Sequence, residues 1–164
     1  MTDDDPRLME DARAAMTAAV TDLAQAGPLE IERRALALRP QPTDYAQVFV
    51  PDAVDPLSAH FERLFSRNPV PMPQPGQTQV KLHVALAAYL RIDDVYSRPF
   101  PGGYRKLAPL LLPLVPWGVW RFHDGDVRNG MAYDGLVYLV DEERVIWLPR
   151  PYRVLRGRQT PAAR

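Results

Sequence analysis

His123, Asp124 and Asp126 sit side by side in the chain, with Asp134 a little further on. An imidazole and carboxylates converging on one loop could hold a divalent cation, or act as general acid and base in a hydrolysis. The same residues are also what a tight turn between strands demands. Asp124 offers an oxygen to its own backbone, and Gly125 tolerates positive φ. The turn is the reading adopted, and a metal-dependent hydrolase on His123, Asp124, Asp126 and Asp134 is the enzymatic alternative.

A second cluster closes the chain. Arg150, Pro151, Tyr152, Arg153, Val154, Leu155, Arg156, Gly157 and Arg158 interleave guanidinium groups with an aromatic ring, as binders of single-stranded nucleic acid or of acidic partners do. The plainer reading makes Tyr152, Val154 and Leu155 core residues of a strand, with Arg150, Arg153, Arg156 and Arg158 guarding an edge against aggregation.

Other chemistry finds less. His60 and His83 have no partner motif, and neither HExxH nor a phosphohydrolase arrangement can be assembled. Ser58, Ser66 and Ser97 lie outside any Gly-x-Ser-x-Gly elbow. Asp93 with Asp94, and Glu142 with Glu143, are sequence neighbours whose side chains diverge. Gly102 and Gly103 before Tyr104, Arg105 and Lys106 match no phosphate loop and read as a turn. No cofactor is called for.

The elements that must position these residues divide into early helices and a late sheet. A first helix is predicted over residues 1–27, regular from Pro6 to Ala26. Asp5 is its cap, Pro6 its first residue, and Leu8, Ala12, Met16, Ala19, Val20 and Leu23 recur at helical spacing. Gly27 and Pro28 stop it. Its alanine-rich stripe suits a helix lying close against a sheet.

Residues 29–38 and 45–50 read as a hairpin, with a bulge near Arg33 and Arg34 where the apolar parity changes. Asp55 and Pro56 open a second helix carrying Leu57, Phe61, Leu64 and Phe65. Prolines 69, 71, 73 and 75 impose an extended connector over residues 69–76; as a sharper reading it is a strip for docking in an aromatic groove. Val80, Leu82, Val84 and Leu86 alternate as in a strand, yet the alanines at 85, 87 and 88 favour a helix over residues 80–91. A short helix is expected within 104–112.

Residues 117–156 then form an antiparallel meander of segments 117–123, 131–140, 144–148 and 152–155, parted by turns at Asp124–Gly125, Asn129–Gly130 and 141–143. The fold class is therefore α+β: an antiparallel sheet, from the meander and the N-terminal hairpin, packed against two or three helices.

Composition agrees with this. A chain of 164 residues, 46% hydrophobic and 24% charged, fits a single domain with its own core. The formal charge is +0, so no global field draws it to nucleic acid or an anionic membrane. Its ends differ, however. Asp3, Asp4, Asp5, Glu10, Asp11, Asp22, Glu30 and Glu32 face only Arg7 and Arg13 across the first 32 residues, whereas six arginines and no acid lie from Arg144 onward.

The absence of cysteine removes disulfides, thiolate metal sites and a cysteine nucleophile. No basic-then-apolar leader opens the sequence, and the apolar run from Leu110 to Trp117 is far short of the ~20 residues a span needs. A cytoplasmic location with no membrane is expected. Eighteen arginines against Lys81 and Lys106, with abundant alanine, fit the codon bias of a GC-rich bacterial genome.

With no residue set that assembles chemistry, the sequence favours a non-enzymatic module that binds another protein, of inhibitor or toxin-neutralising (immunity) type. The binding residues expected are Trp117, Trp120, Tyr133, Arg150, Tyr152, Arg153 and Arg156, because aromatic residues and arginine dominate binding hot spots. Opposite charge at the two ends leaves oligomerisation open. A nucleic-acid or anion binder working through the C-terminal arginines is the other alternative.

Overall fold

In a computed structural model, residues 5–155 are described, with side chains from Pro6 onward. Arg156, Gly157 and Arg158 lie outside these residues, and the expected cap at Asp5 lies outside the described side chains. The helices are α1 (Asp5–Gln25), α2 (Ile31–Leu36), α3 (Pro51–Phe65) and the short α4 (Gly103–Leu107). The strands β1 (Gln79–Leu86), β2 (Pro116–His123), β3 (Ala132–Leu139) and β4 (Arg144–Trp147) form one antiparallel sheet in the order β1-β2-β3-β4. The α+β class is as the sequence indicates. No helix among the described residues is long and apolar enough to cross a membrane.

α1 lies across one face of the sheet and buries Ala12, Met16, Val20, Leu23 and Ala24. Its small residues let it approach closely, and the sheet answers with Gly118, where an added Cβ would stand 2.7 Å from Met16 Sδ. Each larger member of the stripe contributes about 1.5–3 kcal/mol through burial. α3 places Leu57, Phe61 and Phe65 in the same core, beside Tyr45, Phe49 and Trp117.

Four segments depart from expectation. Residues 29–38 and 45–50 form no hairpin: the first is α2 and the second a 3-10 turn, Tyr45–Gln47, with only an isolated bridge from Phe49 to Leu111. The parity change blamed on a bulge is helical spacing, since Ile31, Ala35 and Leu38 are buried at i, i+4 and i+7. Arg33 and Arg34 face outward, paired with Glu30 and Asp22. α3 begins one turn early, at Pro51 after the extended Val50, and carries Pro56 inside it.

Residues 80–91 are strand β1 followed by a 3-10 turn, Ala87–Arg91, rather than helix. Pairing with β2 along all eight residues of β1 outweighs the helix propensity of the alanines. Residues 152–155 leave the sheet instead of extending it. Arg150 takes left-handed φ of 50° and Pro151 brings no N–H, so the ladder ends and a 3-10 turn, Pro151–Arg153, follows. Residues 69–76 adopt no regular element, as their prolines require. They are held to the sheet by the Tyr133 hydroxyl, which donates to Met72 O at 3.0 Å and accepts from Met72 N at 3.1 Å.

Candidate functional site

Sheet register builds the site. On the face away from α1, Lys81 stands opposite Arg121, and Arg121 opposite Ala132; one row along, His83 stands opposite Val119, and Val119 opposite Asp134. Around these residues, His60 and Leu64 of α3, Pro69 and Val70 of the connector, Phe100 in the 99–101 segment, and Arg150, Tyr152 and Arg153 of the tail enclose a cleft of about 920 Å³. That volume suits a small organic ligand.

The cationic groups are poorly compensated. Lys81 and Arg121 carry like charge directly across a strand pair, an arrangement that costs stability. Among the described residues neither makes an ion pair, nor do Arg150 and Arg153. Arg121 is held by a hydrogen bond from Nη1 to Gly130 O at 2.5 Å.

Both cleft histidines are held below their ordinary ionisation. Burial is the main cause, followed by Arg63 and Arg153 for His60 and by Lys81 and Arg13 for His83. At neutral pH they offer neutral ring nitrogens for hydrogen bonding.

Asp134 is the acid of the cleft, 7% exposed. A β-bulge between Gly118 and Val119 of β2 puts Gly135, with φ of 90°, at the irregularity in β3. There Leu148 N donates to Gly135 O at 2.6 Å, Trp147 Nε1 donates to Asp134 O at 2.8 Å, and Arg150 N donates to Asp134 Oδ1 at 2.9 Å. Tyr104, fully buried, lies beside this carboxylate. Burial, then the Asp134 charge, hold the tyrosine ionisation well above its usual range.

Burial also raises the Asp134 carboxyl above its ordinary 3.8, with Arg150, Arg153 and Tyr104 opposing the rise. A raised folded value means that the group's contribution to stability is complete below the unfolded value and is lost as pH rises through the folded one. Asp134→Asn retains an acceptor for Arg150 N and cannot ionise. Relative to this variant, the wild type is expected to lose stability as pH is raised from about 4 toward neutrality, as read by urea unfolding. A difference constant over that range contradicts the assignment.

Of the expected binding residues, Trp120, Tyr133, Arg150, Tyr152 and Arg153 border the cleft, Trp117 lies in the core, and Arg156 lies outside the described residues. Trp117 (0% exposed) is core, edge-on to Tyr104, and Trp120 (2% exposed) stacks on Tyr133; neither offers an open ring to a partner. The Tyr133 hydroxyl is engaged by Met72. Tyr152, half-buried and edge-on to Tyr104, lines the cleft with Arg150 and Arg153.

The four candidate metal ligands do not converge, and no cluster of three or more such groups able to hold a metal occurs among the described residues. His123 lies four residues along β2 from the partner of Asp134, roughly 13 Å away. Its Nδ1 accepts from Gly125 N, Asp124 Oδ1 accepts from Asp126 N, and Asp126 caps Arg128 and pairs with it. These are turn functions. The cleft residues passed over in the sequence are Lys81, His83, Arg121 and His60. The alternation of Val80, Leu82 and Val84 was the available signal for the first two, since it places Lys81 and His83 together on the opposite face. Comparisons with protein-family models, with curated proteins and with solved structures find no match for this chain.

Proposed function

We propose that this chain is a cytoplasmic binding protein of bacterial origin whose cleft takes a small organic anion. The observation that carries the reading is Lys81 set opposite Arg121 on a concave surface, with no described acid to pair either. Two cations held together against their own repulsion favour a ligand that brings negative charge to them. This is the anion-binding alternative of the sequence, moved from a strand edge to a cleft. A cleft of about 920 Å³ suits a compact anion better than a long nucleic-acid strand, and the hydrogen bonds of the 123–126 loop give metal-assisted hydrolysis no support.

The protein-binding reading, including an inhibitor or immunity role, now draws on the exposed Ile92, Val95 and Tyr96 in one loop rather than on the tryptophans.

The test separates function from stability. Lys81→Glu replaces a repulsive cross-strand pair with an attractive one, so stability is expected to hold or rise by about 0.2–1 kcal/mol. Affinity for a simple carboxylate such as benzoate, measured by calorimetry at low salt, is expected to fall at least about tenfold. Equal binding by wild type and variant removes the reading. Tighter binding of single-stranded DNA than of benzoate replaces it with the nucleic-acid one, and a protein partner lost on Val95→Asp replaces it with the protein-binding one.

A further inference from the structure

We infer that the ligand is bifunctional: besides its anionic group it carries a neutral hydrogen-bond donor, an amino or hydroxyl group, that Asp134 receives. This rests on the anion-binding reading and adds the second half of the ligand. Asp134 lines the cleft although it is almost wholly buried. Its carboxylate accepts from Arg150 N at 2.9 Å, with the Tyr104 hydroxyl beside it. A carboxylate accepts several donors, and one in a low-dielectric site is stabilised by each further donor that reaches it. Tyr104, fully buried, closes the inner side of this carboxylate.

The chain has fixed this carboxylate in place. Gly135 at the bulge, Trp147 Nε1 on Asp134 O, and the left-handed turn at Arg150 all hold it. A carboxylate needed only to tether one backbone N–H has no need to line an open cleft.

Spacing sets the ligand's length. Arg121 and Asp134 are diagonal neighbours across β2 and β3, a separation of about 7–8 Å. Lys81 lies one strand further on. An anionic group over Lys81 and Arg121 therefore leaves about the length of one aromatic ring before a donor would reach Asp134. Leu64, Val70 and Phe100 supply apolar wall to the cleft. An ammonium group is disfavoured as the donor, because Arg150 and Arg153 flank the carboxylate.

The experiment compares benzoate with para-aminobenzoate and para-hydroxybenzoate, by calorimetry on the full chain at one pH. On the wild type, at least one of the substituted probes is expected to bind about tenfold more tightly than benzoate. In Asp134→Asn the ratio of the substituted probe's affinity to that of benzoate should fall to about one. Benzoate binding with no advantage for either substituted probe overturns this inference alone, and needs no variant. An advantage that survives Asp134→Asn overturns it as well. Failure of all three probes to bind overturns the anion-binding reading and this inference with it.

Discussion

Replacing Arg144 by methionine is expected to cost about 3–5 kcal/mol of folding stability, the penalty for leaving a buried carboxylate without its counter-charge. Asp44 is 0% exposed. It accepts from Arg144 Nη2 at 2.6 Å and from Gln41 N at 2.7 Å, so the pair ties the turn before α3 to the start of β4. Next to it, Trp147 N donates to Leu38 O at 2.7 Å, and the two bonds together attach residues 38–44 to the sheet edge.

Methionine matches the arginine stem in length and apolar character, so the loss reads the charge rather than packing. Urea unfolding measures it, and a loss below about 1 kcal/mol would show that Asp44 finds water or relaxes. Adding Asp44→Asn to the variant should restore part of the loss, because the uncompensated charge is then gone while an acceptor for Gln41 N remains. The exposed pairs Arg33–Glu30 and Arg34–Asp22 sit at the other extreme, and breaking either should change stability by no more than about 1 kcal/mol.

Gly135→Ala carries the second large effect, and it reaches the cleft. At φ of 90° an alanine pays strain of about 1–3 kcal/mol, and its Cβ would stand 2.1 Å from Leu148 O and 2.8 Å from Pro149 Cα. Both obstacles are backbone, so β3 must shift from the segment leading to Arg150, breaking the bonds on Gly135 O and Asp134 Oδ1. A total loss of about 4 kcal/mol is expected, large enough to identify the clash as the mechanism.

Gly76→Ala is the control. Its φ of 84° imposes similar strain, but nothing lies within 4 Å of the added carbon. Only the strain, about 1–3 kcal/mol, should appear. If the two variants unfold at the same urea concentration, the close approach at Gly135 is not what holds Asp134 in position.

Asp44, Arg144 and Gly135 also mark where sequence reasoning stopped. Asp44 and Arg144 lie far apart in the chain, and neither type nor spacing announces that one is buried and the other reaches it. Gly135 was unremarkable in a strand-forming segment; its role follows from an offset between β2 and β3 that neither strand encodes alone. The aromatic surplus at the C-terminal end was legible, but its meaning was not. Trp117 and Trp120 fill the core between sheet and helices, so composition counted as binding surface what is buried mass.

What the sequence by itself determined is whatever neighbouring residues decide among themselves. The long first helix with its Gly27–Pro28 stop, the extended proline connector, and the three strands after Pro116 with the turns at Gly125 and Glu143 all follow from period, cap and turn chemistry within a few residues. Tertiary structure decided the rest. β1 is a strand because β2 offers it eight residues of pairing, residues 31–36 coil because one face can be buried, and Arg150 turns away because the sheet ends there. The cleft belongs wholly to this second class. Lys81, Arg121 and Asp134 meet only through the register of three strands, and register is a relation between distant segments that no single segment contains.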